Sequence, residues 1–169
     1  MNAYKSLYCL ALLAMLLALC VGCTERSIAT KDEIGELPRA GSISWVSSAA
    51  IYGAVPDKKP VTMLIVMAST CASCDSLRLV TLKDSLVMGM INAWYNACII
   101  DADADSLIVV GDSTISCSTA AREVFHASNY PTIIFFNFDG TRTTRTWGYD
   151  GPDMYADMLY ITRDYWNSY

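Results

Sequence analysis

Apolar runs separated by polar connections mark the strands that this sequence predicts. The unbroken runs 61–67 and 132–136 are typical of strands covered on both faces. A shorter apolar run, 97–100, predicts another strand. Asp139-Gly140 is a strong hairpin signal, and the alternating segment after it, 141–147, predicts the last strand.

Helical periodicity and capping residues place helices between these strands. The first predicted helix lies within 42–55, is packed around Trp45, Ala49 and Ile51, and is stopped by Gly53 and Pro56. The second runs from Cys71 to about Val80, and the third is capped by Asp84. The last two run from Ser116 or Ser118 through Val124 and over 152–163. The order is therefore strand, helix, strand, helix, strand, hairpin, strand, helix, which is an α/β arrangement.

The first 22 residues are typical of a secretory signal, because Lys5 is the only early charge and Leu7 to Gly22 are almost wholly apolar. The end of this segment resembles a bacterial lipobox, although Cys20 stands where that pattern usually has Leu. The resemblance implies cleavage after Gly22 and lipidation of Cys23. The alternative is an uncleaved anchor, since about 18–20 apolar residues span a bilayer. Both interpretations place the rest of the protein outside the cytoplasm.

Composition and charge suit a single exported domain. The polar segment 23–41 has no apolar period and predicts a tether, which leaves 42–169 as the folded domain. The formal net charge is −5 and basic residues do not cluster, so nucleic acid is an unsuitable partner. The cysteines outside the signal and lipidation site are Cys71, Cys74, Cys98 and Cys117. An even number is compatible with disulfides in an oxidising compartment.

Cys71-Ala72-Ser73-Cys74 follows a predicted strand and opens a predicted helix. The helix N-terminus favours a thiolate at Cys71, and one helical turn returns Cys74 to disulfide distance. This context predicts thiol–disulfide exchange, with Cys71 attacking and Cys74 resolving. Three alternatives remain open: a permanent structural disulfide, a zinc half-site, and a copper site that adds nearby methionines. A complete zinc site needs further ligands, and His126 is the only histidine.

These motifs together resemble the thioredoxin-like family, in particular its exported thioredoxin-related lipoproteins. The resemblance covers about residues 43–163 and implies a central mixed sheet of four to five strands flanked by helices. The shared elements are Lys59-Pro60, Cys71-x-x-Cys74, Asp101 at the end of the second strand, Tyr130-Pro131-Thr132, Phe136-x-x-Asp139-Gly140 and Gly148-Tyr149.

The resemblance also implies a function. Pro131 matches the family's cis-proline, which lies beside the active disulfide, so the backbone of Tyr130 is expected to pair with a client protein. We expect a reductase of extracytoplasmic disulfides that needs no organic cofactor or metal and takes electrons from a separate donor. Thr24 after the lipidated cysteine favours the outer membrane. The alternative is a binding module, or a copper carrier, with a structural Cys71–Cys74 bond.

The active-site sequence departs from the family pattern at several positions. Thr70 replaces the Trp that often precedes the first cysteine, and Ile65 stands where thioredoxin has a buried acid. A basic residue commonly follows the second cysteine, but here Asp75 does, and its charge is expected to disfavour a thiolate. These changes leave the direction of electron flow undecided from the motif alone.

Further candidate residues have weaker signals. Cys98 and Cys117 form a possible second disulfide across the 101–116 loop; the alternative is one buried apolar residue and one free thiol. Asp101, Asp103, Asp105 and Asp112 fit four positions of a calcium-loop template, but Ser106 replaces its required glycine. We therefore expect a solvated turn there. His126 is expected to be structural.

Overall fold

A computed structural model describes residues 37, 41–51, 59–137, 140 and 142–167. The predicted signal, Cys23 and most of the predicted tether lie outside these residues, as do Gly53, Pro56 and Asp139. Of the predicted opening helix, the structure shows a 3-10 turn at Ser48–Ile51. Before this turn, Trp45 forms an isolated parallel bridge with Ala97.

The central sheet has four strands: β1 (Val61–Met67), β2 (Tyr95–Asp101), β5 (Thr132–Asn137) and β6 (Arg142–Trp147). Their order in the sheet is β2-β1-β5-β6. Strand β1 pairs in parallel with β2 and antiparallel with β5, and β5 pairs antiparallel with β6. The sheet is therefore mixed, with β1 in its interior, and every residue of β1 is buried as its unbroken apolar run predicts.

A separate hairpin, β3 (Leu107–Val110) and β4 (Ser113–Ser116), follows β2. Asp103, Asp105 and Asp112 are exposed outside the strands, as expected for a solvated turn, but the hairpin itself was not predicted. The run Leu107-Ile108-Val109-Val110 has high strand propensity, and Gly111 adopts the positive φ of 59° that a tight turn requires. The two strands of the hairpin have four residues each and pair only with each other. Strands this short give too few positions for an alternating pattern to show in the sequence.

The helices connect the strands and cover the sheet. Their bounds are α1 (Ala72–Leu79), α2 (Ser85–Trp94), α3 (Cys117–Thr119) and α4 (Gly151–Asn167), with a 3-10 turn at Thr81–Lys83 and a π-helical turn at Ala120–Val124 after α3. The Asp84 side chain caps α2, since its Oδ1 accepts hydrogen bonds from the N–H groups of Leu86 and Val87 at 2.9 and 3.1 Å. None of the helices in the described ranges has the length and apolar character needed to cross a membrane.

Two apolar clusters lie on opposite faces of the sheet, because alternate residues of β1 point to opposite sides. Met63 and Ile65 of β1 belong to the cluster that includes residues of α1, α2 and α4. Leu64 and Val66 belong to the second cluster, formed with α3, the π-helical turn and the hairpin. The loop that carries Cys71 therefore begins directly after a strand that is buried on both faces.

Candidate functional site

Cys71 is the N-cap of α1. Its φ of −133° and ψ of 104° are extended, and its Sγ accepts a hydrogen bond from the Cys74 backbone N–H at 3.1 Å. The sulfur therefore takes the place of the oxygen that usually caps a helix. An acceptor at this position also lies at the positive end of the helix dipole, so the geometry favours negative charge on Cys71 Sγ.

Cys71 and Cys74 form a disulfide, with Cα atoms 5.1 Å apart. Cys71 is partly exposed, Cys74 is completely buried, and the two residues between them are exposed. An incoming sulfur can therefore approach Cys71 but not Cys74. This asymmetry is the one that a nucleophilic thiol and a resolving thiol require.

The Tyr130–Pro131 peptide bond is cis, and it lies beside the disulfide. The Tyr130 carbonyl oxygen is 3.5 Å from Cys71 Sγ. On the other side, the Gly148 N–H donates to the Pro131 carbonyl at 3.0 Å, which ties this loop to the end of β6. Trp147 is opposite Thr132 in the β5–β6 register and is 61% exposed. A large apolar side chain is thus presented to solvent next to the Tyr130–Pro131 loop.

The loop before Cys71 is held by two aspartates, one at the end of β2 and one just after it. The Ser69 N–H donates to Asp103 Oδ2 at 2.7 Å, and the Ser69 hydroxyl donates to Asp101 Oδ2 at 3.1 Å. Asp101 Oδ1 accepts from the Asp103 N–H at 2.9 Å, which fixes the second carboxylate relative to the first. The calcium template is not realised, since the described part of the chain contains no group of three or more potential metal ligands arranged around one point.

Asp75 does not act as an isolated charge. Arg78, one turn along α1, lies 3.4 Å from Asp75 Oδ1, and both side chains are about half exposed. The other terminal nitrogen of the Arg78 guanidinium, Nη2, contacts Met67 Sδ at 3.7 Å. The expected unfavourable effect of Asp75 on a thiolate is therefore partly offset. The position of thioredoxin's buried acid is Ile65, which lies in the same apolar cluster as Cys74.

Two other motif residues have structural partners. Lys59 Nζ donates to the Tyr95 carbonyl at 2.7 Å, and partial burial lowers the pKa of this amine. The Tyr149 hydroxyl accepts from the Thr81 hydroxyl at 3.3 Å, which joins the segment after β6 to the segment after α1. Both hydrogen bonds connect segments of the fold, and neither contact involves a cysteine of the disulfide.

Cys98 and Cys117 are free thiols in this structure, not a disulfide. Both are buried in the same apolar cluster, and Cys117 Sγ lies 3.4 Å from the Ser106 hydroxyl. Burial, with a smaller contribution from Cys117, raises the pKa of Cys98 to about 12. The alternative without a disulfide therefore agrees with the structure, with the difference that Cys117 is buried as well as Cys98.

Tyr130 also lines a groove of about 630 Å³. Its other polar lining residues are Asp103, Ser118 of α3, Arg122 of the π-helical turn, and His126 and Ser128 after that turn. His126 is exposed, and its Nδ1 is 3.3 Å from the Arg122 carbonyl. The structural role expected for His126 stays a prediction, and sequence reasoning did not foresee that this residue lines a groove.

Comparison with solved structures identifies the fold. One match is described as DsbH oxidoreductase, with a TM-score of 0.57, 16% identity, and coverage of 75% of this chain and 88% of that chain. A thioredoxin-fold protein from Helicobacter pylori has a TM-score of 0.58 and 19% identity, with coverage of 70% and 77%. A thioredoxin from Thermus thermophilus has a TM-score of 0.51 and 15% identity, with coverage of 72% and 87%.

The chain therefore has a thioredoxin-like fold, as its motifs implied. The four-stranded mixed sheet flanked by helices agrees with the expected architecture. No family model matches the sequence, and comparison with curated proteins gives no match. The finer resemblance to exported thioredoxin-related lipoproteins thus remains a proposal based on the motifs.

The sequence missed two features of the site. Trp147 gave no functional signal because it ends an alternating strand, and only the β5–β6 register places it next to Thr132. The support of Ser69 by Asp103 was also missed, because the two residues are 34 positions apart. A usable signal was Asp101 itself, since polar residues at the carboxyl ends of parallel strands meet at one edge of the sheet.

Proposed function

We propose that this protein is an extracytoplasmic thiol–disulfide oxidoreductase that acts mainly as a reductase of client proteins. The observation that carries the proposal is the hydrogen bond from the Cys74 N–H to Cys71 Sγ. It places a partly exposed sulfur where negative charge is stabilised, directly beside a buried partner sulfur. The names of the DsbH oxidoreductase and the thioredoxin with the same fold support this activity.

The reaction is a pair of sulfur displacements. The Cys71 thiolate attacks one sulfur of a client disulfide, forms a mixed disulfide and releases the other client sulfur as a thiolate. The Cys74 thiolate then attacks Cys71 Sγ, forms the Cys71–Cys74 bond and releases the second client thiolate. Two electrons pass to the client, which takes up two protons. A second dithiol protein must return two electrons to Cys71–Cys74 before the next cycle.

The client is expected to bind along the Tyr130–Pro131 loop. The Tyr130 carbonyl lies 3.5 Å from Cys71 Sγ, so a client backbone that pairs with Tyr130 has its cysteine close to the attacking sulfur. The exposed Trp147 ring offers an apolar surface next to this loop. We expect Trp147→Ala to raise the KM for a protein client more than it lowers kcat.

The reductase direction is supported by the limited stabilisation of the Cys71 thiolate. A strongly stabilised thiolate makes a dithiol protein oxidising, because its reduced form becomes the more stable one. Here the Arg78 guanidinium is paired with Asp75, and the Tyr130 carbonyl faces Cys71 Sγ. A carbonyl oxygen can accept from a thiol but repels a thiolate. The disulfide is therefore harder to reduce, and the dithiol is a better electron donor.

The proposed location is the cell envelope, with Cys23 lipidated and the outer membrane favoured by Thr24. The support is the apolar leader and the lipobox-like sequence before Cys23. Mass spectrometry of the protein expressed in a bacterial host tests this point. A diacylglyceryl-modified Cys23 at the N-terminus supports it, and an intact Met1 contradicts it.

The reductase assay uses the reduced protein, insulin as the disulfide client and three cysteine variants. Cys71→Ser should abolish turnover, and Cys74→Ser should accumulate a mixed disulfide with insulin, because the resolving thiol is missing. Cys98→Ala is the matched control and should retain turnover. Equal activity in all three variants would refute the proposal. A reduction potential below about −300 mV with no turnover would instead indicate a binding module with a structural disulfide.

A further inference from the structure

Two charged side chains, Asp103 and Arg122, line the groove next to Tyr130. Tyr130 also lines the groove, and its carbonyl oxygen is 3.5 Å from Cys71 Sγ. A client segment bound at Tyr130 therefore has its flanking side chains within reach of these two charges. The groove belongs to the described part of the chain and involves no residue of the disulfide itself.

The segment that carries Arg122 has a rare backbone geometry, which a contact from β6 stabilises. Residues Ala120–Val124 form a π-helical turn, a rare geometry that is frequent at functional sites. His126 follows with a φ of 49°. The Arg145 guanidinium donates to the carbonyls of Phe125 and His126, the latter at 2.9 Å. A side chain on β6 thus fixes the end of the turn from which Arg122 projects.

The two charges differ in how far they are already engaged. Asp103 Oδ2 accepts from the Ser69 N–H at 2.7 Å. The Arg122 guanidinium has five N–H donors, and among the described residues its one ion pair is with Glu123 at 3.4 Å, where both side chains are largely exposed. Such a pair is weak and exchanges readily with another carboxylate. A guanidinium also matches a carboxylate with two parallel hydrogen bonds.

We propose that this groove selects client segments in which an acidic side chain flanks the reactive cysteine, and that Arg122 binds the acid. The inference rests on the proposed reductase function and names the class of client that the same site prefers. Arg122 is a specificity-determining residue here, because its contact is with the client and not with the reacting sulfurs. Arg145 is a positioning residue that acts through the turn.

The test compares three peptide disulfides with the reduced full-length protein. Each is a homodimer of a short peptide joined through its single cysteine, with Glu, Gln or Lys two residues before and after that cysteine. The second-order rate constant for reduction is measured by acid quenching and chromatography. We expect the Glu peptide to react about two- to five-fold faster than the Gln peptide, which is the range that an exposed ion pair supports.

Charge variants assign this preference to Arg122. Arg122→Gln should bring the Glu-to-Gln rate ratio to about one, whereas Glu123→Gln should raise the ratio by removing the competing carboxylate. Lys83→Gln makes the same charge change at an exposed residue of the 3-10 turn after α1, outside this groove, and should leave the ratio unchanged.

The possible failures are distinguishable. Equal rates for the three peptides, or a faster Lys peptide, would overturn the acidic preference and leave the exchange reaction intact. A ratio that survives Arg122→Gln would also overturn it. No reduction of any peptide, the neutral one included, would refute the reductase function itself and the inference with it.

Discussion

Cys71 owes its expected reactivity to two backbone groups and one balanced pair of charges. The Cys74 N–H donates to its sulfur at 3.1 Å, the Tyr130 carbonyl lies 3.5 Å away, and Asp75 in the same helical turn is paired with Arg78. The first favours a thiolate, and the carbonyl opposes it. Because the charge pair is half exposed, each member contributes only a small electrostatic effect.

The charge pair can be separated by two variants of opposite sign. Arg78→Gln should slow alkylation of reduced Cys71 at neutral pH by up to about five-fold, because Asp75 is then an unpaired negative charge near the thiolate. Asp75→Asn should accelerate alkylation by a similar factor. The measurement is the rate of iodoacetamide modification, followed by mass spectrometry. Rate changes in the same direction for both variants would contradict this electrostatic account.

Sequence reasoning at the residue scale succeeded where chemistry is encoded by local spacing. The three-residue separation of Cys71 and Cys74 and the neighbouring pair Tyr130-Pro131 are readable from the chain alone. It failed where the partner is remote. The β5–β6 register places Trp147 next to the site, and a hydrogen bond to Ser69 connects Asp103 to it. Neither relation can be read from the sequence without the fold.

At the scale of elements, the N-terminus of α2 could be predicted from a local sequence signal, the capping residue Asp84. Asp84 was expected as the N-cap, and its carboxylate accepts two backbone hydrogen bonds. Asp84→Ala should lower the free energy of unfolding by about 1 kcal/mol, measured by urea denaturation, with reductase activity unchanged. Asp84→Asn is the matched control and should lose less, since asparagine also caps. An equal loss in both variants would show that the cap is not the cause.

The segment after the hairpin shows the limit of local signals. Ser116 was expected as a cap, and its hydroxyl accepts from the Thr119 N–H at 3.1 Å. The predicted α-helix through Val124 is instead three α-helical residues followed by a π-helical turn. The end of this turn is bonded by Arg145, which is 20 positions away from Phe125. A tertiary contact of this kind has no signature in the helical period.

Arg145 gives a second prediction at this scale. Arg145→Gln removes a charged donor to two carbonyls, and such bonds contribute about 1.5–3 kcal/mol when a charged group is involved. We expect faster amide hydrogen exchange near Phe125 and a reduced preference for acidic peptides. The neutral peptide should be reduced at the wild-type rate, because the Cys71 site is intact. Loss of the neutral rate as well would indicate a general disruption of the fold.

For the molecule as a whole, the complete burial of β1 explains why the fold could be predicted. The run 61–67 is buried on both faces, and this required a layer on each side of the sheet. Strand and helix order then left few arrangements, and the mixed four-stranded sheet is one of them. The separate β3–β4 hairpin could not be foreseen, because it pairs only with itself and covers one face locally.

The burial of Cys98 in β2 makes the stability of the whole molecule depend on pH in the alkaline range. Cys98 is 1% exposed, and its pKa is raised from 9.0 to about 12. The unfolded thiol loses its proton near pH 9, whereas the folded thiol retains it, so the folded state binds more protons in this window. Stability is therefore complete below pH 9 and decreases as the pH rises towards 12, by at most about 1.4 kcal/mol per pH unit from this group.

Buried tyrosines extend the decrease, because burial also raises the pKa values of Tyr95 and Tyr155. Urea denaturation between pH 7 and pH 11 measures the slope. Cys98→Ala should be less stable at pH 7, because it leaves a small cavity, but its stability should fall less steeply above pH 9. Cys117→Ala should keep most of the wild-type slope, since burial is the larger cause of the Cys98 shift. Parallel curves for wild type and Cys98→Ala would mean that Cys98 is ionised or exposed in the folded protein, and that the cluster around it is less closed than the structure indicates.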